Sequence, residues 1–307
     1  MPGDVVHVIS SEGRYSLRVS VLGPLAVSID DSDLTPTATK QRVLLALLAV
    51  HANTFVSTDR IVDTLWDHAP PRSARAALHG YVTAVRRALV PRRAAERPLT
   101  RFSGDSVLIT QPSGYLLRLA AEELDLLAFR EHARLGRAAL AAGEHALAEQ
   151  RFGAALRLWT GTPLADLQQT GVLNAHAARL AEERVQLTHD WADALLGQGK
   201  GTQAVCPLEE LCTSHPMRER GYHQLMLALC QADRRADALA VYSQAYRVLT
   251  TEAGIEPCHR LRETHRELLG ERSAPAATAW RSAGGRGEDH DLRRLRRTAG
   301  LSPSGRW

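Results

Sequence analysis

Apolar and polar positions alternate at Leu17, Val19 and Val21, the chain turns at Gly23-Pro24, and alternation resumes at Leu25, Val27 and Ile29 before Asp30-Asp31-Ser32-Asp33. A period of two between turn residues predicts a short antiparallel sheet. After Pro36 the spacing becomes helical. KQRVLLALLAVHA is apolar on most sides, with Thr39 as its expected N-cap. Ser57 or Thr58 is placed to cap a second helix, TDRIVDTLW, in which Ile61, Val62, Leu65 and Trp66 form one stripe. The third segment, RSARAALHGYVTAVRRAL, follows Pro70-Pro71 and repeats Leu78, Tyr81, Val82, Val85 and Leu89 at helical spacing. That face packs on the two preceding helices. The opposite face carries Arg72, Arg75, His79, Thr83 and Arg86, with Arg87 at its edge and no acid within a turn to pair with them. Further on, SVLIT and YLLRL flank Gln111-Pro112-Ser113-Gly114, the pattern of a β-hairpin, placed where a wing would stand.

From Glu122 to about Arg272 strand signals give way to long Ala/Leu/Arg/Glu-rich helical segments. Three of these follow a short turn and set a small residue four positions before a large one: Ala148 and Phe152, Ala204 and Leu208, Ala238 and Tyr242. Such pairs let the two helices of a hairpin approach closely. Ala204 to Ala238 also matches the 34-residue period of tetratricopeptide repeats, whereas Ala148 to Ala204 does not, so an irregular array is expected with a long helix from about Ala175 to Leu196. The organisation read from the sequence is an extension over 1–15, a first domain over 16–120, an all-helical domain over 121–272, and a Gly/Ser/Ala/Arg-rich tail over 273–307 that reads as disordered.

The net charge of +4 in 307 residues says little, but its distribution says more. Between Arg72 and Arg101 stand eight arginines, including Arg92, Arg93 and Arg97, against the single acid Glu96. A cluster of this kind is either a solvated face or one that neutralises phosphates. Lys40 and Lys200 are the only lysines, so arginine usage reflects a general bias as well as local need. The first residues lack a basic segment followed by an apolar core, and no run approaches the roughly 20 apolar residues of a membrane span, so a cytoplasmic protein without membrane contact is expected. Cys206, Cys212, Cys230 and Cys258 lack metal or redox spacing, which predicts free thiols and no metal, disulfide or cofactor.

Taken together, the residues resemble the Streptomyces antibiotic regulatory protein family. The resemblance rests on Leu22-Gly23-Pro24-Leu25, Lys40-Gln41-Arg42, Val56-Ser57-Thr58-Asp59-Arg60, Leu65-Trp66, Tyr81-Val82 and Arg86-Arg87. It continues through Gly114-Tyr115-Leu116-Leu117, Leu158-Trp159, His215-Pro216-Met217-Arg218-Glu219, the run from Gln224 to Leu229, and Gly254-Ile255-Glu256-Pro257. It covers roughly residues 16 to 270. The likeness implies a mainly α protein: an amino-terminal winged helix-turn-helix of the OmpR response-regulator kind and a carboxy-terminal, tetratricopeptide-like bacterial transcriptional activation domain. It further implies an activator of antibiotic or other secondary-metabolite genes that binds tandem direct repeats in double-stranded promoter DNA, engages RNA polymerase holoenzyme, and acts on DNA as a homodimer or cooperative oligomer associated with the nucleoid.

In such a domain the third helix enters the major groove. Arg75, His79 and Thr83 are then the expected base readers, and Arg72, Arg86 and Arg87 the expected phosphate contacts. Lys40 and Arg42 begin the first helix, where a basic group opposes the helix dipole and a phosphate partner would relieve the conflict. At the wing tip relatives often carry Arg; here Gln111-Pro112-Ser113 stands there, with Gln111 as the candidate contact, and Tyr115 reads as a buried anchor continued by Leu117 and Leu119. Catalysis has no visible seat. GQGKGTQA lacks the P-loop spacing, since Gly201 follows Lys200 and Ala194 occupies the first glycine position, and HExxH and GxSxG are both missing. The competing reading is a protein-interaction scaffold whose helical repeats hold a partner while the amino-terminal domain reads no DNA.

Overall fold

The computed structural model describes residues 16–67, 69–89, 107–167 and 171–270. Strands β1 (Leu17–Ser20), β2 (Ala26–Ile29) and β3 (Ser32–Asp33) form an antiparallel sheet in that order, with Leu17 opposite Ile29 and Ser28 opposite Asp33. Asp30 and Asp31, at φ 49° and 64°, make the two-residue β2–β3 turn. Two left-handed residues match the twist of the flanking strands, and Asp tolerates that region because its short side chain bonds locally. The third strand was not foreseen, since two polar residues carry no period.

Helix α1 (Thr39–Val50) is buried continuously from Val43 to Ala49, as its unbroken apolar run requires. Its N-cap is Ala38 rather than Thr39: the Ala38 carbonyl accepts from Gln41 and Arg42 N–H at 3.0 and 3.1 Å, and no side chain caps it. For α2 (Thr58–Trp66), Ser57 is the cap, its hydroxyl accepting the Arg60 N–H at 3.3 Å. Helix α3 (Ala74–Ala88) buries Ala74, Leu78, Val82 and Val85. Strands β5 (Leu108–Gln111) and β6 (Gly114–Leu117) form the hairpin, and a two-residue strand β4 (Val56–Ser57) joins them in the order β4-β6-β5. Tyr115, Leu117 and Leu119 are buried as expected. Gly114 is required by this pairing, because a Cβ there would collide with the Val56 carbonyl and the Phe55 ring.

Among the described residues seven helices follow: α4 (Asp125–Ala141), α5 (His145–Leu156), α6 (Gly171–Gly197), α7 (Gly201–Ser214), α8 (Glu219–Gln231), α9 (Arg235–Val248) and α10 (His259–Leu269). A 3-10 turn spans Ala165–Leu167 and a π-helical turn Leu249–Ala253. Ala148, Ala204 and Ala238 are fully buried, and so are Phe152 and Leu208. Tyr242 is half-buried and stacks on His265 of α10 at 3.8 Å. Phe152 illustrates the close approach: a Cβ at Gly136 of α4 would strike its ring.

The hydrophobic core does not divide at residue 120. One buried cluster runs from Val19 through α1, α2, α3 and the hairpin into α4, α5 and α6, as far as Ala194; a second runs from Ala192 to Leu261. The boundary between cores therefore lies inside α6. Cys206, Cys212, Cys230 and Cys258 are free thiols. Among the described residues no helix is long and apolar enough to cross a membrane, and no cluster of His, Cys, Asp and Glu could hold a metal ion. The 1–15 extension and the tail lie outside the described residues.

Candidate nucleic-acid interface

Helix α3 presents two faces because its apolar residues recur every three or four positions. With the apolar face against the core, Arg72 just ahead of the helix and Arg75, His79, Thr83 and Arg87 within it are left exposed. The Thr83 hydroxyl donates to the His79 carbonyl at 2.9 Å, so its hydrogen is used within the helix. An acid does reach this face from a neighbouring helix: Arg75 Nη2 lies 3.2 Å from Asp59 Oδ1 of α2. The two side chains are 78% and 82% exposed, and an ion pair so open to water contributes about 0–1 kcal/mol. Arg75 is held loosely.

Arg86 differs. Its Nε and Nη2 donate to the Leu108 carbonyl at 3.2 and 2.9 Å, and Nη2 also donates to Thr110 Oγ1 at 2.7 Å. These bonds tie α3 to β5, so the half-buried Arg86 holds the wing beside the helix. Arg92, Arg93, Arg97 and Arg101 lie outside the described residues.

Lys40 and Arg42 likewise have internal partners. Lys40 Nζ donates to the Leu65 carbonyl and stands 5.3 Å from the centre of the Trp66 ring. A cation at the carbonyl end of α2 complements the helix dipole, and the ring adds a cation–π attraction. Trp66 in turn stacks on Tyr81 of α3 at 6.2 Å, so Lys40 fastens all three helices together. Arg42 forms an ion pair with Asp166 of the 3-10 turn, both side chains about one-quarter exposed. The unfavourable position of a cation at a helix N-terminus is thus relieved by an intramolecular carboxylate. Gln111 is exposed beside the hairpin turn, where the Ser113 carbonyl accepts the Thr58 N–H at 2.8 Å and draws the turn back toward α2.

A joint between the two halves was not foreseen, although the turn at its centre was singled out. Leu22-Gly23-Pro24-Leu25 was read as a turn in the first sheet; it is also a clasp. Asp125, the first residue of α4, accepts the Val21 N–H on both oxygens at 3.0 and 2.9 Å and the Leu22 N–H at 3.0 Å. Asp166 accepts the Leu25 N–H at 3.0 Å besides pairing with Arg42. The loop after α5 closes the clasp: Thr160 N–H donates to the Leu22 carbonyl at 3.1 Å and Leu164 N–H to the Gly23 carbonyl at 2.7 Å. A Cβ at Gly23 would collide with the Thr160 hydroxyl. Burial pushes the Asp125 carboxyl up to about 6, although its backbone donors pull the other way. Isolated aspartates give no periodic signal, which is why sequence pattern did not reveal them.

Residues 124–269 match the bacterial transcriptional activator domain family. Regulatory protein DnrI of Streptomyces peucetius is 32% identical over 253 residues, which cover 82% of this chain and 92% of DnrI. The chain belongs to the Streptomyces antibiotic regulatory protein family. Transcriptional regulatory protein EmbR of Mycobacterium tuberculosis strain H37Rv is 33% identical over 253 residues, which span 82% of this chain and 63% of EmbR. The structure of Mycobacterium tuberculosis EmbR in complex with a low-affinity phosphopeptide superposes with a TM-score of 0.77 at 32% identity, over 85% of this chain and 66% of that one. The winged-helix and tetratricopeptide-like halves expected of this antibiotic regulatory family are therefore both present.

Proposed function

We propose that the protein is a transcriptional activator that binds promoter DNA sequence-specifically through α3. One observation carries the reading: a helix whose opposite side is locked into the core leaves Arg72, Arg75, His79, Thr83 and Arg87 exposed on one face. An Arg reaching a major groove donates two hydrogen bonds to guanine O6 and N7, and a Thr methyl contacts the thymine methyl. Arg75 reads a base, with His79 and Thr83 beside it, while Arg72 and Arg87 neutralise phosphates and set the register. Arg86 acts by holding the wing beside the reading helix, Lys40 and Arg42 by holding α1 in place, and Gln111 remains the wing residue exposed toward DNA.

Family membership supports the finer reading. Tandem direct repeats near a promoter are the target, and copies of the protein occupy adjacent repeats cooperatively. The helical domain contacts RNA polymerase holoenzyme, and the controlled genes belong to an antibiotic or other secondary-metabolite cluster. The protein works in the cytoplasm on nucleoid DNA.

A gel-shift titration of wild type, Arg75→Ala and Arg42→Ala against promoter fragments from the gene's own neighbourhood tests this, with unrelated DNA as competitor and salt varied. Specific, salt-sensitive binding that Arg75→Ala weakens by about 1–3 kcal/mol is expected. Feeble, equal binding of wild type and Arg75→Ala to every fragment would overturn it and leave the helical repeats as a protein-binding scaffold.

A further inference from the structure

A cleft of about 590 Å³ opens between α5, α6, α7 and the loop that follows α5, with no residue of α3 in its lining. That volume falls within the roughly 300–1,000 Å³ typical of small-molecule sites. Two of the chain's five tryptophans, Trp159 and Trp191, line it, together with Arg157 and Arg184.

We propose that this cleft binds a small aromatic carboxylate. The charges point to an anion. Elsewhere along α6 arginines from other elements meet its acids: Arg130 pairs with Glu183, Arg137 with Asp190, Arg218 with Glu182, and Arg220 with Asp190 and Asp193. At the cleft this pattern lapses. Among the described residues neither Arg157 nor Arg184 has a carboxylate within ion-pair distance, although both are exposed, and Arg184 lies 5.4 Å from the centre of the Trp159 ring. Glu210 of α7 is the one acid among the lining residues, so the two arginines leave the lining with a positive balance.

The tryptophans point to a ring. Trp159 is held edge-on to Phe129, at 5.3 Å and 83°, so its orientation is set by the core before any ligand arrives. Its indole Nε1 is buried without an acceptor among the described residues. The site is also placed to matter. Gly161, Thr162 and Pro163 line the cleft, while Thr160 and Leu164 on either side of them bond the Leu22 and Gly23 carbonyls. An occupant rests on the strap that fastens the amino-terminal domain to the helices.

Calorimetric titration of the full chain with 1-naphthoate, and with the uncharged 1-naphthalenemethanol, tests the proposal without reference to DNA. Saturable binding of the acid to one site is expected, about tenfold tighter than the alcohol and about tenfold weaker in Arg184→Gln, as loss of a charged hydrogen bond implies. Gly161→Phe provides a second variant, because Gly161 lines the cleft and a Cβ there meets nothing within 4 Å, so a ring is designed to occupy the ligand's place. It should abolish binding while thermal unfolding stays near that of wild type. No saturable binding of 1-naphthoate, equal affinity for acid and alcohol, or full affinity in both variants would overturn the proposal.

Discussion

Arg75 and Arg42 lie in the same small domain and each meets an aspartate, yet the two pairs work differently. Arg75 and Asp59 are largely surrounded by water, and among the described residues neither has a further partner holding the geometry. Arg42 and Asp166 are about three-quarters covered, and Asp166 also accepts the Leu25 N–H. Breaking the first pair therefore costs little, and the arginine can exchange its partner for a base or phosphate. Breaking the second strands a partly buried charge and a backbone donor. Availability for binding is decided by cover and competing bonds, not by the presence of a cation.

The clearest way to break this contrast lies in the joint. Asp125→Ala removes the acceptor of the Val21 and Leu22 N–H groups and should lower stability by about 2–4 kcal/mol in denaturant titration. Asp125→Asn keeps one oxygen and loses less. The same pair of proteins has a pH signature. With the folded carboxyl raised to about 6 from an ordinary 3.8, the folded state holds the proton more tightly than the unfolded chain. Its contribution is greatest below pH 3.8 and disappears as pH rises through about 6. Wild type should lose stability relative to Asp125→Asn across that window, and a constant difference would show that the carboxyl is not perturbed.

Arg86→Ala probes the border between the two behaviours. It deletes the bonds to Leu108 and Thr110, and a loss of about 1–2 kcal/mol in stability is expected together with weaker DNA binding. A phosphate contact alone would change binding and its salt dependence without touching stability. The smallest effect sharpens the exposed pair. Asp59→Asn should leave stability within about 0.5 kcal/mol and tighten DNA binding by up to about 1 kcal/mol, since it frees Arg75 and removes an anion from the interface. Weaker binding in this variant would assign Asp59 a positive role in holding Arg75 for its base.

Much of the fold was legible because it is written in local periods. Leu78, Val82 and Val85 located the buried side of α3 without any knowledge of what covers it, and the same spacing turned Arg75, His79 and Thr83 outward. Ser57 was legible as a cap because capping uses nearby atoms. The short strands β3 and β4 were not, since each is two residues long and is defined by a partner: Ser57 pairs with Gly114, far along the chain. The bonds of Arg86 were hidden for a related reason. Its position on the helix is right for a phosphate contact, but the Leu108 carbonyl that claims it arrives from a separate element.

The chain's own pattern determined the class of both halves, the run of elements, and the face of α3 that stays wet, because side-chain period and capping are local properties. Tertiary structure alone decided which arginines are committed, where the core divides, and that Leu22-Gly23-Pro24-Leu25 is a clasp as well as a turn. The clasp and the Arg42 pair depend on Asp125, Asp166 and Thr160 arriving from more than a hundred residues away. No window of sequence contains both partners, so burial and hydrogen bonding between them exist only once the chain has folded.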